Sequence, residues 1–386
     1  MALTDTMRRA IAALLNSFVP CRQRWAAVLV SESDETAARE IKRRFSFYLP
    51  DWSLHECRLG DSREFSSLRL LTASLRMVPV LYAGRQDPAR APLLLRHNPL
   101  YWLNPYTNCR EAWEWHELVQ QHSPPPDIDA AKHRFLDHAE KLGLRNFGKA
   151  YVFGTGPSLA RAVERDWSDG IRIVCNTIVR DFELWNHIQP HVIVAADAGY
   201  HFSFTQHARA FREDLKQRLS ETETLFVYPA GFDAIVKKEL VDHEDQLVPI
   251  PSGSQKTLCY NFAETFSFPE FHNILPRMLT IACCFADDVG LWGFDGRAPD
   301  AKHFWDNSSR HSYPELMPEL RESYPAFFDE HVPEDDERRY IRWAFGDSLE
   351  QCLSEAEKQG KKFVMMHDTW TETLKRRSAR SLQEKR

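Results

Sequence analysis

What the chain lacks narrows its class before any motif is read. Its eight cysteines include no C-x-x-C pair and no ladder of regular spacings. That excludes a zinc ribbon or a disulfide scaffold and leaves reduced, mostly buried thiols, with Cys283-Cys284 side by side in an apolar stretch. There is no basic excess either. The 49 Lys and Arg are outnumbered by 55 Asp and Glu, for a formal net charge of -6, which argues against a dedicated nucleic-acid binder. No apolar run reaches the length of a membrane span. The start, Met1-Ala2-Leu3-Thr4-Asp5, lacks the charged and apolar pattern of a secretory signal. The expectation is a cytoplasmic protein with nucleotides at hand. No internal repeat and no low-complexity segment interrupts the chain.

What is present is length and aromatic weight. At 386 residues the chain can form two domains, or one domain with a large extension. Its 24 Phe, 11 Trp and 11 Tyr suit large cores, and a minority would suit a stacking surface for a base or a sugar. The stretch from Lys361 to Arg386 is basic. It reads as a solvated, frayed tail or, alternatively, as a peripheral contact with an anionic membrane.

Periodicity divides the chain into four parts. Residues 1–123 read as a small α/β region of unknown role. It contains a short amphipathic helix over residues 7–17, a strand at Trp25–Val30, a helix from Asp34-Glu35 to about Phe47, and a strand at Met77–Tyr82 whose Pro79 suggests a sheet edge. Residues 124–147 are a stiff Pro-rich break and a helix. From 148 to 315 strands alternate with helices. The strands are Ala150–Phe153, Ile171–Cys175, Val192–Ala196, Thr224–Tyr228 and Val289–Gly293, and a helix over Leu275–Ala286 precedes the last. This alternation predicts a Rossmann-like, mostly parallel sheet with helices on both faces. Residues 316–386 read as a helical extension with the basic tail.

The sharpest chemical signal follows the first of these strands: Gly154-Thr155-Gly156-Pro157-Ser158. Glycines let a backbone approach a ligand closely, and Pro at the first helical position presets the helix. Free N–H groups at that helix start would favour a phosphate, and a side chain at Gly156 would block it. A tight turn without a ligand is the alternative. Strand ends of a parallel sheet share one edge, where ligands bind. Asn176, Asp197 and Asp295 all fall on that edge. Asn176 would read ribose or base edges and Asp197 a hydroxyl, although each alone is equally a loop-capping residue. Arg297 and Arg310 are candidates to neutralise phosphate, and Tyr200-His201 to line the pocket.

These residues together resemble a known family. Gly154-Thr155-Gly156-Pro157-Ser158-Leu159, Cys175-Asn176-Thr177 and Ala196-Asp197-Ala198 look like the core of the 6-hydroxymethylpterin diphosphokinase-like domain shared with motility-associated-factor glycosyltransferases. With Gly293-Phe294-Asp295 they are also similar to bacterial sialyltransferases that use CMP-sialic acid. The resemblance covers about residues 148–315. It implies a nucleotide site at the Gly turn and at Asn273, which stands where the family carries Thr-Ser-Gly. It also implies a general base at His311, in the polar segment Asn307–Tyr313, with His201 next in line. A lone histidine in such a segment is otherwise an ordinary surface residue.

The expectation is therefore a transferase. It moves a sialic-acid-like (nonulosonic acid) sugar from a CMP-linked donor to a glycan or protein hydroxyl, with no cofactor required. The alternative within the family is an ATP-dependent diphosphokinase with Mg²⁺ held by Asp197 and Asp295. The third reading is a non-catalytic nucleotide-binding protein. No nucleic-acid partner is expected.

Overall fold

The computed structural model describes residues 24–31, 34–59, 78–85, 98–271, 273–297, 310–331 and 346–378. The expected helix over residues 7–17, the polar stretch before Arg310 and the end of the basic tail lie outside them. The chain divides into two units. One is residues 1–123 with Arg321–Glu330, and the other is Pro124–Leu320 with the chain from His331 on.

The first unit is built on β1 (Arg24–Ser31), α1 (Glu35–Tyr48), β2 (Trp52–Leu59), β3 (Val80–Tyr82), β4 (Leu100–Trp102) and α2 (Glu111–His122). All pairings are parallel, in the order β2-β1-β3-β4. Ala37, Ala38, Ile41 and Phe45 form the buried stripe of α1. The edge position expected for Met77–Tyr82 is overturned, because β3 lies between β1 and β4. Pro79 precedes the strand instead of interrupting it, and its carbonyl accepts the Ala27 N–H at 3.0 Å. A buried ion cluster joins α1 and α2. Arg44 Nε lies 3.0 Å from Glu111 Oε1 with neither residue exposed, and a further guanidinium nitrogen donates to the Ser323 carbonyl. Burial pushes the Glu111 carboxyl up to about 7 against the pull of Arg44.

The second unit follows the expected alternation. α3 (Ile128–Lys141) precedes β5 (Lys149–Phe153), β6 (Ile171–Cys175), α4 (Phe182–Ile188), β7 (Val192–Val194), α5 (Gln206–Glu221), β8 (Leu225–Pro229), α6 (Asp233–Glu239), β9 (Leu247–Ile250), α7 (Ile274–Cys283), β10 (Asp288–Trp292), α8 (Gly346–Lys358) and β11 (Lys362–Met365). The seven strands form one parallel sheet in the order β11-β10-β5-β6-β7-β8-β9. Alternate residues face opposite sides. Ala150, Val152, Ile173 and Val194 pack with Phe135 of α3, Met278 and Leu279 of α7 and Leu353 of α8. On the other face Tyr151 and Phe153 meet Trp167, and Phe226 meets Phe202 and Phe211. The architecture is Rossmann-like, of nucleotide-binding type.

Two strands of this sheet were not foreseen. β9 is four residues long and contains Pro249, which an edge strand tolerates. β11 arises inside the basic extension, which is helical over α8 and then supplies the edge strand beside β10. Part of the basic cluster is also structural. Arg377 is buried and reaches Glu350 and Glu357 at 2.6–3.0 Å, and its hydrogen bonds hold the Glu350 carboxyl down at about 2. Among the described residues, no helix is long and apolar enough to cross a membrane. The seven described cysteines are unbridged; all but Cys109 are buried.

From β5 the chain steps outward to β9, then returns through α7 to lay β10 on the other side of β5. The topological switch point is therefore between β5 and β10, at the carboxyl ends of the strands. α7 runs back toward the amino ends, so its first turn also sits at this ligand-binding edge.

Candidate functional site at the carboxyl edge of the sheet

The Gly turn lies at the switch point, but its donors have an internal partner. Ser158 N–H points at both oxygens of the Asp295 carboxylate, at 3.2 Å each, and Ser158 Oγ lies 2.9 Å from Asp295 Oδ2. The carboxylate thus takes the place foreseen for a phosphate at the helix start. The segment it caps, Pro157–Glu164, is a 3-10 helix. Gly156 N–H donates to the Gly293 carbonyl at 2.8 Å, and Gly154 N–H to the Trp292 carbonyl at 2.8 Å. A Cβ on Gly156 would sit 2.2 Å from Asp295 Oδ2, and one on Gly154 would sit 2.6 Å from the Gly293 carbonyl oxygen. The close approach of the β10 loop by itself requires glycine at both positions. Pro157 is exposed and Thr155 half-buried on this turn.

A third loop completes the knot. His367, just after β11, places Nε2 2.7 Å from Ser158 Oγ and accepts the Gly293 N–H there at 2.8 Å. Its Nδ1 faces the Asp368 carbonyl at 2.7 Å, so the proton of the neutral ring sits on Nδ1. Nothing in the local sequence signals this contact.

The β6–β7 flank of the same edge is different. Asn176 has φ +52°, a left-handed conformation that asparagine tolerates better than most residues. Asp197 Oδ1 accepts the N–H groups of Gly199 and Tyr200 at 3.1 and 3.2 Å and caps a single helical turn. Burial nevertheless pushes its carboxyl up to about 6, against those bonds and the nearby Arg277 guanidinium. Arg277 belongs to the first turn of α7. Burial draws it down to about 10, with Asp197 opposing. Its Nη2 donates to the Phe271 carbonyl at 3.3 Å, while Nε has no partner. Asn273, 9 % exposed, caps α7 by accepting the Leu275 N–H at 2.9 Å, and its Nδ2 is likewise without a partner. Two buried donors are thus left over beside a helix amino terminus. Sequence reasoning missed Arg277; the available signal was a lone cation in the apolar run Ile274-Leu275-Pro276-Arg277-Met278-Leu279.

The remaining candidates separate. His201 is buried with its ring 4.6 Å from Phe211 and accepts the Asp197 N–H on Nδ1 at 3.2 Å, and burial drives its pKa well down. It braces the Asp197 turn from within the core. Arg310 is half-exposed and pairs with Asp181 and Glu183, each at 3.0 Å. Arg297 is half-buried on the loop after Asp295. His311 is 1 % exposed; Nδ1 lies 3.4 Å from Asp181 Oδ2, and neither ring nitrogen has a hydrogen-bond partner. Burial lowers its pKa, with Asp181 opposing and Arg310 assisting. The ring is therefore held in its neutral, proton-accepting form. Thr177 Oγ1 donates to the His311 carbonyl, which ties this segment to the end of β6.

Asp197 and Asp295 each have hydrogen-bond partners of their own. One is turned onto backbone amides of its own helical turn and the other onto Ser158. Among the described residues, no group of three or more His, Cys, Asp and Glu is clustered as metal ligands.

No family model, curated protein or solved structure matches this chain.

Proposed function

We propose that this chain is a transferase that binds a CMP-linked nonulosonic acid at the β6–β7 flank and passes the sugar to a hydroxyl of a glycan or protein. The observation that carries the reading is the pair of buried, unpartnered donors, Asn273 Nδ2 and Arg277 Nε, beside the first turn of α7. Leaving such donors unmade is costly, and an anionic ligand would satisfy both. A helix amino terminus adds its own attraction for negative charge.

The chemistry is an inverting displacement. The acceptor oxygen bonds to the anomeric carbon as the bond from that carbon to the phosphate oxygen breaks. Arg277 and Asn273 stabilise the charge on the departing CMP. The acceptor proton passes to His311 Nε2, with the Asp181 carboxylate 3.4 Å from Nδ1 to offset the charge that the ring gains. Asn176 contacts the nucleoside, and Asp197 a hydroxyl.

A thermal-shift panel of CMP, CDP, UDP, GDP and ATP, with and without Mg²⁺, tests the donor. CMP should raise the melting temperature without Mg²⁺, by mass action on the native state. Arg277→Gln should weaken CMP binding by about 30- to 100-fold, the equivalent of about 2–3 kcal/mol for a charge-assisted bond. A shift confined to ATP with Mg²⁺ would overturn the reading. His311→Ala should cut turnover by about 10²–10⁴-fold with CMP affinity nearly unchanged. A variant that melts earlier yet keeps its specific activity makes His311 structural.

A further inference from the structure

Two of the described cysteines are brought together by the fold. Cys259 lies on the loop between β9 and α7, and Cys284 directly follows α7. They are 25 positions apart, yet Cys284 Sγ reaches the Cys259 carbonyl at 3.7 Å. Both are unbridged and belong to one apolar cluster. Neither is sealed in. Each keeps 8 % of its surface exposed, and Cys259 lies between the exposed stretches Lys256-Thr257 and Ala263-Glu264-Thr265.

The two thiols differ in acidity. As a thiol, Cys259 donates to the Thr265 carbonyl at 2.9 Å. As a thiolate it accepts the Cys284 S–H and the Asn261 N–H, and these bonds draw it down to about 7 against the cost of burial. Burial pushes the Cys284 thiol well up, and its bond to Cys259 adds to this. Burial also raises Cys175, Cys283 and Cys352, each to about 12. A thiolate that forms near neutral pH, close to the surface and beside a second thiol, is the arrangement in which oxidation of one sulfur is captured by the other.

We propose that Cys259 and Cys284 are a hydroperoxide-reactive pair that closes reversibly into a disulfide. The Cys259 sulfur attacks one oxygen of hydrogen peroxide and the O–O bond breaks. Cys259 becomes a sulfenic acid, and the other oxygen leaves as water with the proton that the thiol gave up. The Cys284 sulfur then bonds to the Cys259 sulfur as the S–O bond breaks, and the Cys284 proton leaves with the hydroxyl as a second water. Two electrons pass from the thiols to the peroxide. The bridge closes a ring of chain that includes Asn273 and Arg277, so it ties down the segment that supplies the open donors of the β6–β7 flank. It forms whether or not the chain binds CMP.

The test takes the reduced full chain, adds hydrogen peroxide at about pH 7, blocks the remaining thiols with iodoacetamide and maps the peptides by mass spectrometry. The expected product is a peptide pair joined from Cys259 to Cys284, two hydrogens lighter than its reduced parts and separated again by dithiothreitol. In Cys284→Ser the oxidation should stop at Cys259 as a sulfenic acid that dimedone captures, an adduct that the natural chain should give in far smaller amount. Without peroxide, iodoacetamide should alkylate Cys259 of the folded chain at a rate that reaches half its plateau near pH 7, while Cys175, Cys283 and Cys352 stay unmodified. A bridge from Cys259 to any cysteine other than Cys284 overturns the proposal. So does peroxide that leaves Cys259 a thiol, or that carries it to the sulfinic acid while Cys284 is still alkylated. The linkage map is made on the natural chain, so it decides the matter even if Cys284→Ser fails to fold.

Discussion

Two flanks of one sheet edge handle their polar groups in opposite ways. Between β5 and β10, the motif that looked most like a phosphate cradle is closed on itself. Ser158, Asp295, Gly293 and His367 satisfy one another within 3.2 Å. On the β6–β7 side, groups with less conspicuous sequence signals are unfinished: Asn273 Nδ2 and Arg277 Nε have no partner, and Asp197 is held at an unfavourable ionisation. A Gly-rich strand-to-helix turn marks close backbone approach, and the approaching body need not be a ligand. Unpaired buried donors are the better pointer, because a fold tolerates them only at a cost.

The largest expected effect tests the closed flank. Gly156→Val would drive a Cβ to 2.2 Å from Asp295 Oδ2 and 2.7 Å from the Gly293 carbonyl, so it should destabilise the protein by about 3 kcal/mol or more. Urea denaturation measures this. A variant of native stability that lost only CMP binding would restore the phosphate-cradle reading and erase the contrast.

A smaller effect sharpens the open flank. The Asp197 carboxyl lies at about 6 in the fold against an ordinary 3.8. Between those values the folded state holds a proton that the unfolded state has released, so stability contributed by this group falls as pH rises through the window. Asp197→Asn should remove that slope. Relative to the variant, the native protein should lose about 1–3 kcal/mol between pH 4 and 7. Parallel urea titrations across that range check it, and identical slopes would mean that Asp197 is not buried as described.

The smallest effect separates backbone from side chain at Asn176. Its left-handed φ of +52° should make Asn176→Ala cost about 1 kcal/mol of stability, while Asn176→Gly costs little. If the amide contacts the nucleoside, both variants should weaken CMP to a similar extent by calorimetry. If only Asn176→Ala binds less tightly, the residue serves the turn alone.

Much of the fold was legible in the sequence, as β5 through β8 and α7 show. Their apolar runs alternate with amphipathic helices, and that period is a local property. β9 and β11 were hidden for local reasons too: four residues with a proline in one, and a lysine-flanked stretch in the other. At the site, Asn176, Asp197 and Asn273 do share one edge, as their positions after strands or at a helix start implied. Arg310 and His201 were legible as residue types, but not in their engagement by Asp181, Glu183 and the core around Phe211.

The sequence by itself determined the alternation of strands and helices and hence which residues end up at the carboxyl edge, because hydrophobic period and strand direction fix that much. Only the tertiary structure decided which of those residues are used up. Asp295 lies 137 positions from the Ser158 amide that it caps, and His367 is 209 positions from the Ser158 hydroxyl. Whether a donor is satisfied depends on what the fold brings within about 3 Å of it, and no local pattern records that.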